Sequence, residues 1–275
     1  MIPKTLHYVW LGGGQKRDLM LRCIESWHRS LPGWDIIEWD ESNFPVDRTR
    51  EESKFFRLAY DNRLFEFIAD YARLKVLYEH GGVYLDTDIE LLRDLDPLRG
   101  ENLFIGMQYP DGSHSWALEG AVLGSPKGHP FLQEAMDYYN DGYWSLKAAF
   151  AEITSQPMVL THLIREKTRE IRPTELEAEH ITIYEQGLFH LAKEMEGARL
   201  IRSSIRVPPD AFAINHAFLK DTSTTKGNSS WLYNKKAKIF RRKVWYYRAI
   251  QPIIKIRKKA TKMRRLSRAR AQSAS

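Results

Sequence analysis

Gly81-Gly82-Val83-Tyr84-Leu85-Asp86-Thr87-Asp88 sets a glycine pair before a short apolar run that ends in two carboxylates one residue apart. Side chains alternate faces along a strand, so Asp86 and Asp88 are expected to point the same way and Thr87 the opposite way. Like charges held that close repel, and a cation between them relieves the repulsion. Hard divalent cations take oxygen ligands, and Mg²⁺ commonly combines one or two carboxylates with the phosphates of a substrate. A lone pair of this kind is more often a solvated strand end than a site. Its flanks decide the matter.

Upstream, Leu64 to Glu79 reads as a helix with a broad apolar face that includes Phe67, Ile68, Tyr71, Leu74 and Leu77. Gly81-Gly82 supplies the positive-φ stop. The strand that follows delivers Asp86 and Asp88 at its carboxyl end, which is where open α/β sheets bind ligands. The same helix carries Asp70 and Arg73 three residues apart on one face. The plain alternative for that pair is a surface ion pair contributing less than about 1 kcal/mol. Earlier still, Leu6 to Leu11 reads as a buried strand, Leu19 to Leu31 as a helix closed by Pro32-Gly33, and Trp34 to Trp39 as a second strand. That order predicts a parallel pair with a crossover helix. Residues 51–62 read as a further helix. Strands are expected at 103–106, 120–124, 181–183 and 211–214, with helices at 131–139 and 150–170, the last interrupted at Pro157. His7 reads as a satisfied core histidine and Cys23 as a small core residue.

The chain has 275 residues, 43% of them hydrophobic and 12% aromatic, a globular composition. No apolar run reaches the roughly 18 residues that span a bilayer. The opening Met1-Ile2-Pro3-Lys4-Thr5 lacks a signal-peptide pattern, and one cysteine fits a reducing compartment. The expectation is a cytoplasmic chain. Its net charge of +7 is unevenly placed: 16 Lys and Arg and no acidic residue lie in 235–275, leaving 26 basic against 35 acidic residues in 1–234. Two units follow, an acidic body over 1–234 and a basic amphipathic tail over 235–275. Ile239, Phe240, Trp245, Tyr246 and Tyr247 interleave the tail's cations, a pattern suited to an anionic membrane surface. It also suits nonspecific nucleic-acid binding, although the acidic body argues against a specific nucleic-acid partner.

The run from Phe67 to Asp88, the opening Ile2-Pro3-Lys4-Thr5-Leu6-His7-Tyr8-Val9-Trp10-Leu11-Gly12-Gly13, and the late Ala213-Ile214-Asn215-His216 with Ser229-Ser230-Trp231 together resemble the DxD glycosyltransferases of family thirty-two. That family includes capsular polysaccharide transferases and mannosyltransferases and is related to clostridial glucosylating toxin domains. The resemblance implies an α/β GT-A-type fold: a Rossmann-like mixed sheet flanked by helices, followed here by a basic helical or disordered C-terminal tail. It implies transfer of a hexose from a nucleotide sugar, a UDP-sugar first and GDP-mannose second, to a saccharide or lipid-linked saccharide acceptor. Retention, a role in surface polysaccharide or glycan synthesis, and Mn²⁺ or Mg²⁺ as cofactor belong to the same expectation. By that likeness Val9 and Trp10 pack on the nucleobase, with a core aromatic as the alternative for Trp10. Asp70 holds the ribose, and Arg73 the diphosphate or donor sugar. Tyr84 and Thr87 lie near the phosphates, and Ser230 and Trp231 are donors to them. Asp88 is the direct metal ligand, and Asp86 contacts the ribose or donor sugar and, through water, the metal, with His216 or Asn215 as a further ligand. Ala69 stands where many relatives carry serine. Gln108, Trp116, Glu119 and Gln156 are candidates for the acceptor side.

The competing classes are a nucleic-acid- or membrane-binding protein acting through its tail, and a glycoside hydrolase. The hydrolase needs carboxyls flanking a glycosidic bond about 5–10 Å apart and no metal, whereas adjacent same-face carboxylates suit a cation better. A cytoplasmic enzyme held peripherally on the inner face of the cytoplasmic membrane is the expectation that joins the body to the tail. Flotation with anionic liposomes is expected for the full chain and not for one ending at Tyr233; equal flotation of the two removes the tail from the account.

Overall fold

A computed structural model describes residues 1–108, 117–142, 156–168, 174–176, 179–184, 189–191 and 209–216. The tail 235–275, the segment 220–230, and Trp116, Ser230 and Trp231 lie outside the described residues. The chain opens with β1 (Thr5–Val9), α1 (Asp18–Ser30) and β2 (Asp35–Trp39), and β1 pairs with β2 in parallel as expected. Two short helices, α2 (Val46–Glu52) and α3 (Lys54–Asp61), lead to α4 (Phe65–His80) and then β3 (Gly82–Leu85). β4 (Ile89–Leu91) and a 3-10 turn precede β5 (Leu103–Gln108), β6 (Ala117–Ser125) and α5 (Pro130–Asp137). The remaining described elements are α6 (Gln156–Thr168), β7 (Thr174–Leu176), β8 (Ile181–Tyr184), β9 (Phe189–Leu191) and β10 (Ala213–Asn215).

Seven strands form one mixed sheet in the order β2-β1-β3-β6-β5-β8-β7, and β4, β10 and β9 form a second, small sheet. β1 runs parallel to both β2 and β3, and β6 enters antiparallel beside β3. Alternation along the central strands assigns their faces. Leu6, Tyr8, Val83 and Leu85 pack with Cys23 and Trp27 of α1 on one side. Val9 and Tyr84 pack with α3, α4, α5 and α6 on the other. Helices therefore cover both faces of the sheet, the α/β arrangement expected from the alternation of elements. Cys23 is buried core, as expected. Among the described residues no helix is long and apolar enough to cross a membrane.

Three local expectations are corrected. The helix expected at 51–62 is broken at Ser53, which adopts an extended backbone; its hydroxyl accepts the Phe56 N–H at 3.1 Å and caps α3. Pro157 does not interrupt α6 but lies in its first turn, where a missing N–H costs nothing. Asp86 and Asp88 do not continue β3: the Ile89 N–H donates to the Asp86 carbonyl at 3.0 Å, so Thr87 and Asp88 are the corner of a turn into the second sheet.

The junction of α4 and β3 is held by two glycines and a histidine. Gly81 stops the helix at φ +70° and Gly82 follows at φ +99°. A Cβ on Gly82 would collide with the Thr5 carbonyl and the His7 ring, so only glycine admits β1 this close. His7 is fully buried, and its Nδ1 accepts from the Trp39 indole N–H at 3.1 Å. An indole only donates, so the proton sits on Nε2, which donates to the Gly81 carbonyl at 2.9 Å. Burial, with the neighbouring His80 adding to it, lowers the His7 pKa to about 4 from its ordinary 6.5. Between those values the unfolded chain binds a proton that the folded one refuses, so stability falls as the pH drops through that window. Linkage sets this loss at about 3 kcal/mol. Thermal unfolding followed from pH 7 to pH 4 should show it, and His7→Gln should flatten it; an unchanged slope in the variant would remove His7 as the cause.

Candidate active site

Arg73 is the hub. It lies on the face of α4 that meets β3 and β6, and its side chain is only 7% exposed. Its Nε and Nη1 make hydrogen bonds, and its Nη2 sits in ion-pair contact with two carboxylates. Nε donates to the Ala69 carbonyl at 3.3 Å, and Nη1 to the Gly120 carbonyl at 2.5 Å and to Asp86 Oδ2 at 3.3 Å. Nη2 sits 3.0 Å from Asp86 Oδ1 and 3.5 Å from Asp70 Oδ1. The Asp86 contact is a two-pronged fork, the strong form of this pairing. The Tyr84 ring lies under the guanidinium at 4.7 Å, and its hydroxyl donates to Asp86 Oδ1 at 2.9 Å. Burial opposes the charge on Arg73, but Asp86, Tyr84 and Asp70 together raise its pKa further. The expected surface pair of Asp70 and Arg73 is thus a buried one, set behind Asp86.

Asp70 is buried, and its Oδ2 accepts the Gln156 backbone N–H at 3.0 Å. Desolvation raises its pKa to about 7 against the pull of Arg73. Asp88 differs. Its carboxylate makes no side-chain hydrogen bond or ion pair among the described residues, while its backbone carbonyl accepts the His216 N–H at 3.0 Å. Burial first, and the charge of Asp86 second, raise the Asp88 pKa to about 6. A carboxylate with no side-chain partner among the described residues and crowded by a second one suits a hard cation, so the carboxylate chemistry fits the implied metal. Among the described residues no three His, Cys, Asp or Glu side chains are placed to hold a metal. His216 is buried, with Nε2 2.9 Å from Glu90 Oε2 and Nδ1 without a partner among the described residues. Asn215 donates its side-chain amide to Glu119 Oε1.

Glu119 and Gln156 both reach this site. Glu119 is 2% exposed, and burial, with Asp86 and Asp88 adding to it, raises its pKa to about 8 although Asn215 bonds to it. Burial thus favours its neutral acid, and its Oε2 has no partner among the described residues. The Gln156 side-chain amide is buried and unpartnered as well. The side chain of Gln108 lies outside the described residues. Val9 is buried, whereas Trp10 is half-buried rather than core, its indole N–H donating to the Gly14 carbonyl at 2.7 Å. Thr87 sits at the turn corner. Glu90, which holds His216, was not among the expected residues; its place two residues past Asp88 was the only sign of it.

Residues 18–105 match the family model described as "Glycosyltransferase sugar-binding region containing DXD motif", a span that takes in Asp70, Arg73, Asp86 and Asp88. Inositol phosphoceramide mannosyltransferase 3 of Schizosaccharomyces pombe is 31% identical over 49% of this chain and 36% of its own length. Inositol phosphoceramide mannosyltransferase 1 of the same yeast is 27% identical over 58% of this chain and 50% of its own. The chain thus spans half or less of the length of these two relatives. Among solved structures, the PaToxG glycosyltransferase matches with a TM-score of 0.48 at 14% identity, over 61% of this chain and 70% of that one. Over residues 18–105, with its DxD pair, the chain is thus similar to the sugar-binding region of the DXD-containing glycosyltransferases.

Proposed function

We propose that this chain transfers a hexose from a nucleoside-diphosphate sugar to a saccharide or lipid-linked saccharide hydroxyl, with a divalent cation held at Asp88. The observation that carries the reading is the unequal treatment of two neighbouring carboxylates: Asp86 is locked by Arg73 and Tyr84, and Asp88 is left free beside it. A divalent cation there supplies Lewis acidity toward the leaving diphosphate. Asp86 faces the donor from a fixed position, and its locked geometry needs no reorganisation as charge develops. Glu119, which burial disposes toward the neutral acid and whose Oε2 has no partner among the described residues, is placed to bond a sugar hydroxyl in the buried part of the site. Arg73 spends its donors inside the protein and therefore positions Asp86 rather than gripping phosphate. Mannose is the first hexose to test, because the two yeast relatives are named mannosyltransferases. Retention at the anomeric carbon, Mn²⁺ as the metal, and a peripheral place on the cytoplasmic membrane through 235–275 remain part of the proposal.

Asp88→Asn is expected to lower Mn²⁺-dependent sugar transfer or donor hydrolysis by at least about 100-fold, with an unchanged thermal midpoint. Asp86→Asn is expected to lose activity and also about 3 kcal/mol of stability, because it strips the partner from a buried guanidinium. A panel of nucleotide sugars with Mn²⁺ reads both. Near-normal turnover by Asp88→Asn in saturating metal would put the site elsewhere.

A further inference from the structure

The start of helix α6 is tied to the arginine hub, and one side chain there is left over. The Gln156 N–H, a free donor at the N-terminal end of the helix, is capped from α4 by Asp70 Oδ2 at 3.0 Å. Pro157 follows, its φ locked by the ring. Further along α6 the Thr161 hydroxyl accepts the Leu118 N–H of β6 at 2.8 Å. These ties set the start of α6 against β6 at Gly120. A Cβ on Gly120 would collide with Gln156 Oε1, so the amide occupies the space that any other residue at 120 would need.

The Gly120 carbonyl accepts Arg73 Nη1 at 2.5 Å, and the same Nη1 lies 3.3 Å from Asp86 Oδ2. A row of contacts thus runs inward from Asp86, whose side chain is 31% exposed, through Arg73 and Gly120 to the fully buried Gln156. Neither Oε1 nor Nε2 of Gln156 has a partner among the described residues. A buried carboxamide with both ends unpaired is costly, and a ligand that pairs with it accounts for its being there. The amide offers a donor and an acceptor side by side, the complement of a hydroxyl, which both donates and accepts. Its neighbours favour that neutral partner. Asp70 and Asp86 repel an anionic group, and the charge of Arg73 is already engaged by the two of them.

We infer that the Gln156 carboxamide is a specificity-determining group that hydrogen-bonds one hydroxyl of the transferred hexose; the inference rests on the nucleotide-sugar reading above. Asp86 faces the donor in that reading, and Gln156 stands at the inner end of the row that fixes Asp86. The bare backbone of Gly120 lets a sugar ring come within reach of the amide.

Two variants test this in the full chain with Mn²⁺. Gln156→Met keeps the side chain's bulk and removes both hydrogen-bonding ends, and Gly120→Ala keeps the amide but takes its place. The ligands, titrated by calorimetry, are the nucleotide sugar that the unaltered chain binds most tightly, its bare nucleoside diphosphate, and the monodeoxy analogues of its hexose. Gln156→Met should bind the nucleotide sugar at least about tenfold more weakly and the bare diphosphate unchanged. Gly120→Ala should show the same selective loss. One deoxy analogue should bind the unaltered chain at least about tenfold more weakly than the parent sugar, and Gln156→Met should not distinguish the two. The thermal midpoint of Gln156→Met should not fall, because the amide it replaces has no partner to lose. Unchanged sugar binding by Gln156→Met, or an equal loss for sugar and bare diphosphate, would overturn the inference and leave the proposed function standing. Failure of the unaltered chain to bind any nucleotide sugar would overturn both.

Discussion

A buried guanidinium held by three hydrogen bonds and two carboxylate contacts is the constraint around which the site is arranged. Arg73 lies under α4, where an uncompensated charge would be costly, and its acceptors come from four places in the chain: Ala69, Asp70, Asp86 and the Gly120 carbonyl. Helix, strand end and neighbouring strand must therefore all be in place before the charge is tolerable. The Tyr84 ring below and its hydroxyl on Asp86 extend the same network onto β3. A rigid carboxylate at the mouth of the sheet results from satisfying a cation inside it.

The order of elements around this cluster is readable from local pattern. Apolar period followed by a glycine pair marks α4 and β3, and alternation along β1 and β3 fixes which residues face α4. Burial of Asp70 and Arg73 is not readable that way. Spacing of three shows that they share a helical face, but what covers the face is Gly120, 47 residues beyond Arg73, and Gln156, 86 residues beyond Asp70. The turn at Asp86–Ile89 escapes for a similar reason: its carboxyl half is captured by β10 and the His216 N–H from far along the chain. The break at Ser53 is different, because a serine able to cap a helix was a local signal that competed with an unbroken helical period.

The two sheets meet at that turn. Asp86 belongs to the end of the seven-stranded sheet through its backbone bond to Ala121, and Ile89 begins the strand that pairs with β10. Thr87 and Asp88 therefore bridge two units of packing, and His216, Asn215 and Glu90 reach the site only because the small sheet is attached there. Glu119 on β6 closes the gap from the other side through its bond with Asn215. Residues far apart in the chain thus come together around the carboxylate pair, and burial first, with the charge of the neighbouring aspartates second, raises the pKa values of Asp88 and Glu119.

The freedom of Asp88 has a consequence for how sequences of this kind can diverge. Asp86 cannot change without exposing the protein to an unsatisfied internal charge, so selection for folding alone guards it. Among the described residues no side-chain hydrogen bond or ion pair holds Asp88. A sequence that no longer needed the proposed metal site could lose Asp88 while keeping its architecture and its arginine hub. The second aspartate of the motif, rather than the motif as a whole, is then the position at which the proposed chemistry and the fold part company.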